Sequence, residues 1–267
     1  MEGIINFVKR YKIITTSLIG VSLFLVFRKF ILGFIGHHII MFSKYYKYLK
    51  RPKKIILIRH GQSQANVDKS LYSQKPDCQI GLSDLGKSQA FEAGKKLKQL
   101  LDPSNRIKFF VSPYQRTKDT YEGLLKSVAN QKMQTWVDPR LREQDRGMHN
   151  DEERKQLFID RKAQGHFFFR FPQGEAGADV YDRASQFLDV LYREMDSNKK
   201  AESDVVVIVT HSLFMKFFLM RYFFWEIEKF EKTKIAGNCD MWILEKIEGT
   251  GNYKLITELK ECSEYED

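Results

Sequence analysis

A chain of 267 residues is long enough for one substantial α/β domain with its own core and an appendage. The net charge of +10 lies wholly in residues 1–54, where eleven Lys and Arg face the single acid Glu2, and the remainder balances 33 bases with 33 acids. That balance leaves no basic groove for a nucleic-acid backbone, so nucleic acid is not an expected partner.

Cys78, Cys239 and Cys262 are far apart, odd in number and without CxxC spacing. They point to neither a disulfide framework nor a zinc site and fit a reducing compartment, and neither a metal nor a cofactor is expected.

In chain order, Ile13 to Phe27 is fifteen residues without a charge, and Arg28-Lys29 separates it from a second apolar run, Phe30 to Phe42. Neither run alone reaches the roughly 20 residues of a membrane-spanning helix, and no small-residue cleavage pattern follows the first. From Ser43 to Lys54, Tyr45, Tyr46 and Tyr48 alternate with lysines, a mixture that suits a membrane–water boundary or a solvated linker. Residues 1–53 are therefore expected to form a membrane anchor and linker, touching the bilayer through residues 4–42 as one helix or two segments. The competing expectation is an amphipathic helix docked on this or another protein. Eight of the eleven bases follow Phe27, which puts the rest of the chain in the cytosol or, for an inner mitochondrial membrane, the matrix. A basic, acid-poor N-terminus is compatible with mitochondrial targeting.

Ile55 to Ile58 is a short apolar run ending in Arg59-His60-Gly61, which predicts a buried parallel strand that delivers a loop. Helices are expected from Ser83, a plausible N-cap, to Leu101 and from Tyr114 to Val128, with a strand at Phe109 to Ser112 between them, stopped by Pro113. Amphipathic stretches at Asp151 to Ala163 and Ala178 to Asp196 predict two more helices. Val205 to Thr210 predicts a buried strand ending in His211, Leu213 to Phe230 a helix, and Met241 to Ile247 and Tyr253 to Leu259 two strands. This alternation over residues 54–267 predicts a three-layer αβα sandwich on a mainly parallel sheet.

Ligand sites in such sheets gather beyond the carboxyl ends of the strands, where His60 and His211 fall. Gly61 would let backbone approach a ligand closely, Arg59 supplies a fixed charge, Asn66 is within reach, and Arg116 starts a helix whose dipole favours an anion. Each of these features is weak alone.

Together they match a known family in order. Arg59-His60-Gly61-Gln62-Ser63 with Asn66, Leu82-Ser83-Asp84-Leu85-Gly86, Ser112-Pro113 with Arg116 and Thr120, Leu141-Arg142-Glu143 with Gly147, and Thr210-His211-Ser212 resemble the histidine phosphatase superfamily. Phe171-Pro172-Gln173-Gly174-Glu175 with Arg183 resembles the Pro-x-Gly-Glu block of its phosphoglycerate mutase-like branch. The resemblance implies that His60 is a nucleophile forming a phosphohistidine, that Arg59, Gly61, Asn66, Arg116 and His211 surround the transferred phosphoryl group, and that Glu143 exchanges a proton with the leaving oxygen. It also implies that Arg59 and Arg116 lie close together. Two such cations about 4 Å apart repel by roughly 4 kcal/mol at an effective dielectric near 20, which calls for an anion.

The departures bear on the substrate. Gln62 stands where many relatives have Glu, Met148-His149-Asn150 follows Gly147 where an aromatic-Glu-Gly run is common, and Ala176 replaces a Ser. Glu143-Gln144-Asp145-Arg146 lacks the Glu-Arg-His-Tyr character of glycolytic mutases, so a phosphatase is expected over a mutase. The alternative from a different class is a structural subunit of a membrane complex, which would bring protein partners. Phe167, Phe168, Phe169 and Phe171, and Phe217, Phe218, Phe223, Phe224 and Trp225, are expected mainly as core, with a partner surface as the minority reading for the second group, on the helix after His211.

Overall fold

The computed structural model describes residues 1–196 and 204–262. They fall into two compact units, residues 1–49 and 50–267.

The first unit is one helix, α1 (Glu2–Lys50), which at 1.5 Å per residue is about 74 Å long. Both apolar runs belong to it, and Arg28-Lys29 does not interrupt it, because the first proline in the chain is Pro52. There the missing N–H and the restriction on the preceding residue stop the helix. Phe24, Phe27, Phe30 and Phe42 are each at least 66% exposed. Phe24–Lys50 is long and apolar enough to cross a membrane by length and composition. Several side chains of the run Ile13–Phe27 lie outside the described residues.

The second unit is built on strands β1 (Lys54–Arg59), β2 (Ile107–Val111), β3 (Met133–Val137), β4 (Val205–Thr210), β5 (Met241–Lys246) and β6 (Tyr253–Leu255). Their order is β3-β2-β4-β1-β5-β6; the first four are parallel, and β5 and β6 are antiparallel additions at one edge. The helices are α2 (Gln64–Val67), α3 (Leu71–Gln74), α4 (Asp84–Gln99), α5 (Gln115–Val128), α6 (Asp151–Gln164), α7 (Gly177–Met195), α8 (Ser212–Phe223) and α9 (Ile227–Lys232). Alternate side chains of a strand point to opposite faces. Ile56, Ile58, Phe109, Val207 and Val209 accordingly pack against Ala93 and Leu97 of α4 and Leu124 and Val128 of α5. Ile55, Leu57, Phe110, Val206 and Ile208 pack against Phe187 of α7 and Phe214 and Phe218 of α8. The result is the expected three layers.

The structure corrects the sequence reading at four places. β3 was not anticipated; it is an edge strand whose Gln134 to Val137 are exposed, so it carries no apolar run. The expected helix from Leu213 to Phe230 is two helices, because Phe224 adopts a left-handed conformation (φ 52°) and Trp225 N–H turns back to the Met220 carbonyl. The strand expected at Tyr253 to Leu259 stops at Leu255, and that expected at Phe109 to Ser112 runs from Ile107 to Val111. Of the aromatic residues, Phe169, Phe171, Phe217 and Phe218 are core, whereas Phe168 and Phe224 are exposed.

Candidate active site

Strands β1 and β4 run parallel with Arg59 opposite Thr210, so the next residue of each, His60 and His211, leaves the sheet at the same level. His60 N–H bonds the Thr210 carbonyl at 3.0 Å, and the two imidazole rings lie 5.2 Å apart, edge to face. Both histidines are buried. β2 pairs with β4 on its other side, and Ser112, just beyond it, places Oγ 2.9 Å from His211 Nε2. After Pro113 the chain turns into α5, whose first turn carries Arg116 into the same space.

His60 Nδ1 lies 2.7 Å from the Gly61 carbonyl oxygen, which can only accept, so the ring proton sits on Nδ1. Nε2 therefore holds the lone pair, and Arg116 Nε–H points at it from 3.3 Å. Burial, reinforced by the charges of Arg116 and Arg59, holds the His60 pKa well below that of an ordinary imidazole, against an opposing pull from the Gly61 bond. His211 is pushed down in the same way by burial and by Arg116. Both rings are neutral at physiological pH, and neutral His60 presents an unprotonated ring nitrogen flanked by cations.

Arg59 is half-buried; its Nη1 donates to the Ala236 carbonyl at 2.6 Å, and its buried Nε has no hydrogen-bond partner among the described residues. Burial lowers its pKa; Glu143 works against that shift and Arg116 adds to it. An orphaned guanidinium N–H beside a second arginine is a place for an anion. His211 Nδ1 is likewise buried without a partner among the described residues. When the Ser112 hydroxyl donates to His211 Nε2, Nδ1 carries the ring proton and becomes another donor.

Glu143 is buried, with Oε1 accepting from Gln144 N–H at 3.0 Å. A clamp behind it holds its loop. Arg183 Nη1 donates to the carbonyls of Arg140 (2.7 Å) and Arg142 (2.8 Å), and Nη2 to that of Glu143 (3.1 Å). Glu175 pairs with Arg183 at 2.9 Å and with Arg142, and accepts from Asp145 N–H. Thr210 Oγ1 donates to the Leu141 carbonyl at 2.7 Å, which ties this loop to β4. Glu175 of the Pro-x-Gly-Glu block thus acts by supporting the Glu143 loop.

Two sequence-predicted residues make contacts that the sequence did not anticipate. Gly61 lacks a side chain because a Cβ there would meet the Gly86 carbonyl oxygen at 2.6 Å; its close neighbour is α4, and its N–H bonds Thr120 Oγ1. Asn66 is exposed on α2, where its Oδ1 accepts from Ser63 N–H in a capping box, so only its amide NH2 remains for an anion. Sequence reasoning missed Asp77, which binds Arg116 through both carboxylate oxygens, at 2.7 and 3.1 Å. It also missed Asn238, whose Nδ2 donates to the His60 carbonyl. Neither stands in a motif that would have singled it out.

Residues 55–258 match the model of the histidine phosphatase superfamily, branch 1. The phosphoglycerate mutase-like protein AT74H of Arabidopsis thaliana is 38% identical, with 76% of each chain covered. The broad-range acid phosphatase DET1 of Saccharomyces cerevisiae is 28% identical over 81% of this chain and 92% of that protein. A mycobacterial glucosyl-3-phosphoglycerate phosphatase shares the fold with a TM-score of 0.60 at 20% identity, covering 78% of this chain and 99% of that one. The chain belongs to the histidine phosphatase superfamily, in its phosphoglycerate mutase-like branch.

Proposed function

We propose that the protein is a membrane-anchored phosphomonoesterase that works through a phosphohistidine on His60. The observation that carries this reading is the His60 ring, neutral, buried and with its Nε2 lone pair turned toward Arg116. In the first step Nε2 attacks phosphorus and the P–O ester bond breaks, while Glu143 in its protonated form gives its proton to the leaving oxygen. In the second, water attacks phosphorus, Glu143 takes a proton from it, and the P–N bond breaks to release phosphate and neutral His60. Arg59, Arg116 and His211 Nδ1–H stabilise the charge on the phosphoryl oxygens in both steps, in a buried site where such contacts act strongly.

Hydrolysis is preferred over phosphoryl transfer between two positions of one substrate. The Glu143-Gln144-Asp145-Arg146 segment departs from the glycolytic mutase pattern, and an acid phosphatase is among the relatives. The uncovered apolar side chains of α1 support the anchor, which holds the catalytic domain on the side of the bases that follow Phe27. The test is a panel of phosphorylated metabolites, phosphosugars and phosphopeptides assayed for phosphate release with the full chain in detergent. Turnover of phosphomonoesters supports the reading. Inactivity across the panel, with the chain found stoichiometrically in a larger membrane assembly, replaces it with a structural role.

A further inference from the structure

We propose that Asp77 is the positioning residue for Arg116, gripping the end of its guanidinium so that the side edge faces the His60 nucleophile. The inference rests on the phosphohistidine reading above.

An arginine has five N–H donors in a fixed plane. Asp77 takes three of those on Arg116: Nη1 donates to Oδ1 at 2.7 Å and to the Asp77 carbonyl at 2.9 Å, and Nη2 donates to Oδ2 at 3.1 Å. Nε–H goes to His60 Nε2 at 3.3 Å. The one donor left is the outer N–H of Nη2, which lies beside Nε–H on the same edge of the plane. Carboxylate at the end and nucleophile at the side define the guanidinium's rotation completely. A phosphoryl group arriving at Nε2 meets two parallel N–H donors without any movement of Arg116.

Asp77 is itself fixed. It begins a 3-10 turn, Asp77–Gln79, whose next residue, Ile80, accepts Arg116 N–H through its carbonyl at 3.2 Å, while Leu82 N–H donates to Asp119 of α5 at 3.0 Å. The carboxylate and the guanidinium it holds therefore ride on the same helix start. The Arg116 side chain is 3% exposed and Asp77 31%, so the pair is shielded on the arginine's side and reached by solvent on the other. Tyr114 covers a face of the guanidinium at 4.9 Å.

The experiment compares the full-length wild type with D77A, D77N, R116A and D77A/R116A. The readouts are turnover of p-nitrophenyl phosphate and competitive inhibition by orthovanadate. D77A is expected to weaken vanadate inhibition about tenfold and to lower kcat/KM by up to about 10²-fold, the cost of misplacing a catalytic group by an ångström. D77N, isosteric but with one acceptor lost, is expected between the two and serves if D77A does not fold. In the R116A background D77A is expected to change kcat/KM by less than about threefold, because the two act as a unit.

Wild-type kcat/KM and vanadate inhibition in D77N or D77A overturn the inference while leaving the phosphatase reading intact. So do losses that multiply fully with R116A, which mark a general structural role. Tighter vanadate binding in D77A also overturns it, by making Asp77 an occupant of the anion site. A wild type that neither turns over nor binds vanadate overturns both readings together.

Discussion

His60 and Gly61 fix one feature of the pocket between them: the Gly61 carbonyl, 2.7 Å from Nδ1, dictates the tautomer, and the tautomer leaves the ring lone pair on Nε2. That nitrogen is left to face Arg116.

Burial of neutral histidines makes stability depend on pH. His60 and His211 titrate well below the ordinary imidazole value, and burial with Arg161, Lys216 and Arg146 holds His166 down to about 3. Their unfolded counterparts gain protons near pH 6.5, so unfolding takes up protons below that pH. Stability is complete above about pH 6.5 and falls as pH drops toward the folded values, by up to roughly 1.4 kcal/mol per pH unit from each histidine. Denaturant unfolding from pH 8 to pH 4 checks this; a flat profile between pH 6.5 and 5 would contradict the burial of neutral rings.

Glu143→Gln keeps the shape of the site and removes its exchangeable proton. Turnover of an ester with a poor leaving group should fall by about 10²- to 10⁴-fold while vanadate inhibition is retained. Unchanged turnover would remove Glu143 from the mechanism.

Glu175→Ala should act on stability and on the Glu143 loop together. It leaves Arg183, buried on α7, without its ion pair, and breaking such a pair by removing one partner costs about 3–5 kcal/mol. Glu175 titrates below an ordinary carboxylate: burial opposes this, and Arg183, Asp145 N–H and Arg142 outweigh it. Its contribution is therefore present above about pH 4.5 and is lost as pH falls through its depressed folded value. A midpoint of urea unfolding equal to that of the wild type would show that the clamp carries no load.

The helix α1 makes a prediction of its own. Phe24–Lys50 spans about 40 Å as a helix, more than the roughly 30 Å hydrocarbon core. The full chain should remain in the pellet after alkaline carbonate extraction, and a chain lacking residues 1–49 should not. Release of the full chain would leave the apolar side chains of α1 to be explained by a protein partner.

Much of this arrangement was legible before any coordinates. Ile55 to Ile58 and Val205 to Thr210 are apolar, largely β-branched runs, and a strand buried on both faces can hardly be written otherwise. β3 escaped notice because an exposed edge strand needs no core signal, and the break at Phe224 because a left-handed phenylalanine has no local signature. The residues of the site followed from motif order. Their contacts did not: Asp77 meets Arg116 across 39 residues of chain, and the close packing at Gly61 depends on Gly86 in α4. Such pairings are made by the topology, and no single stretch of sequence carries them.

His60 Nε2 is expected to become phosphorylated in each turnover. Rapid acid-free quenching of the full chain with a radiolabelled phosphomonoester, followed by peptide mapping, measures it directly. The expected result is a base-stable, acid-labile phosphoryl group on the peptide containing His60, formed at least as fast as turnover and absent, together with activity, from H60A. Full activity in H60A, or a phosphoryl group found on another residue at the turnover rate, would contradict it.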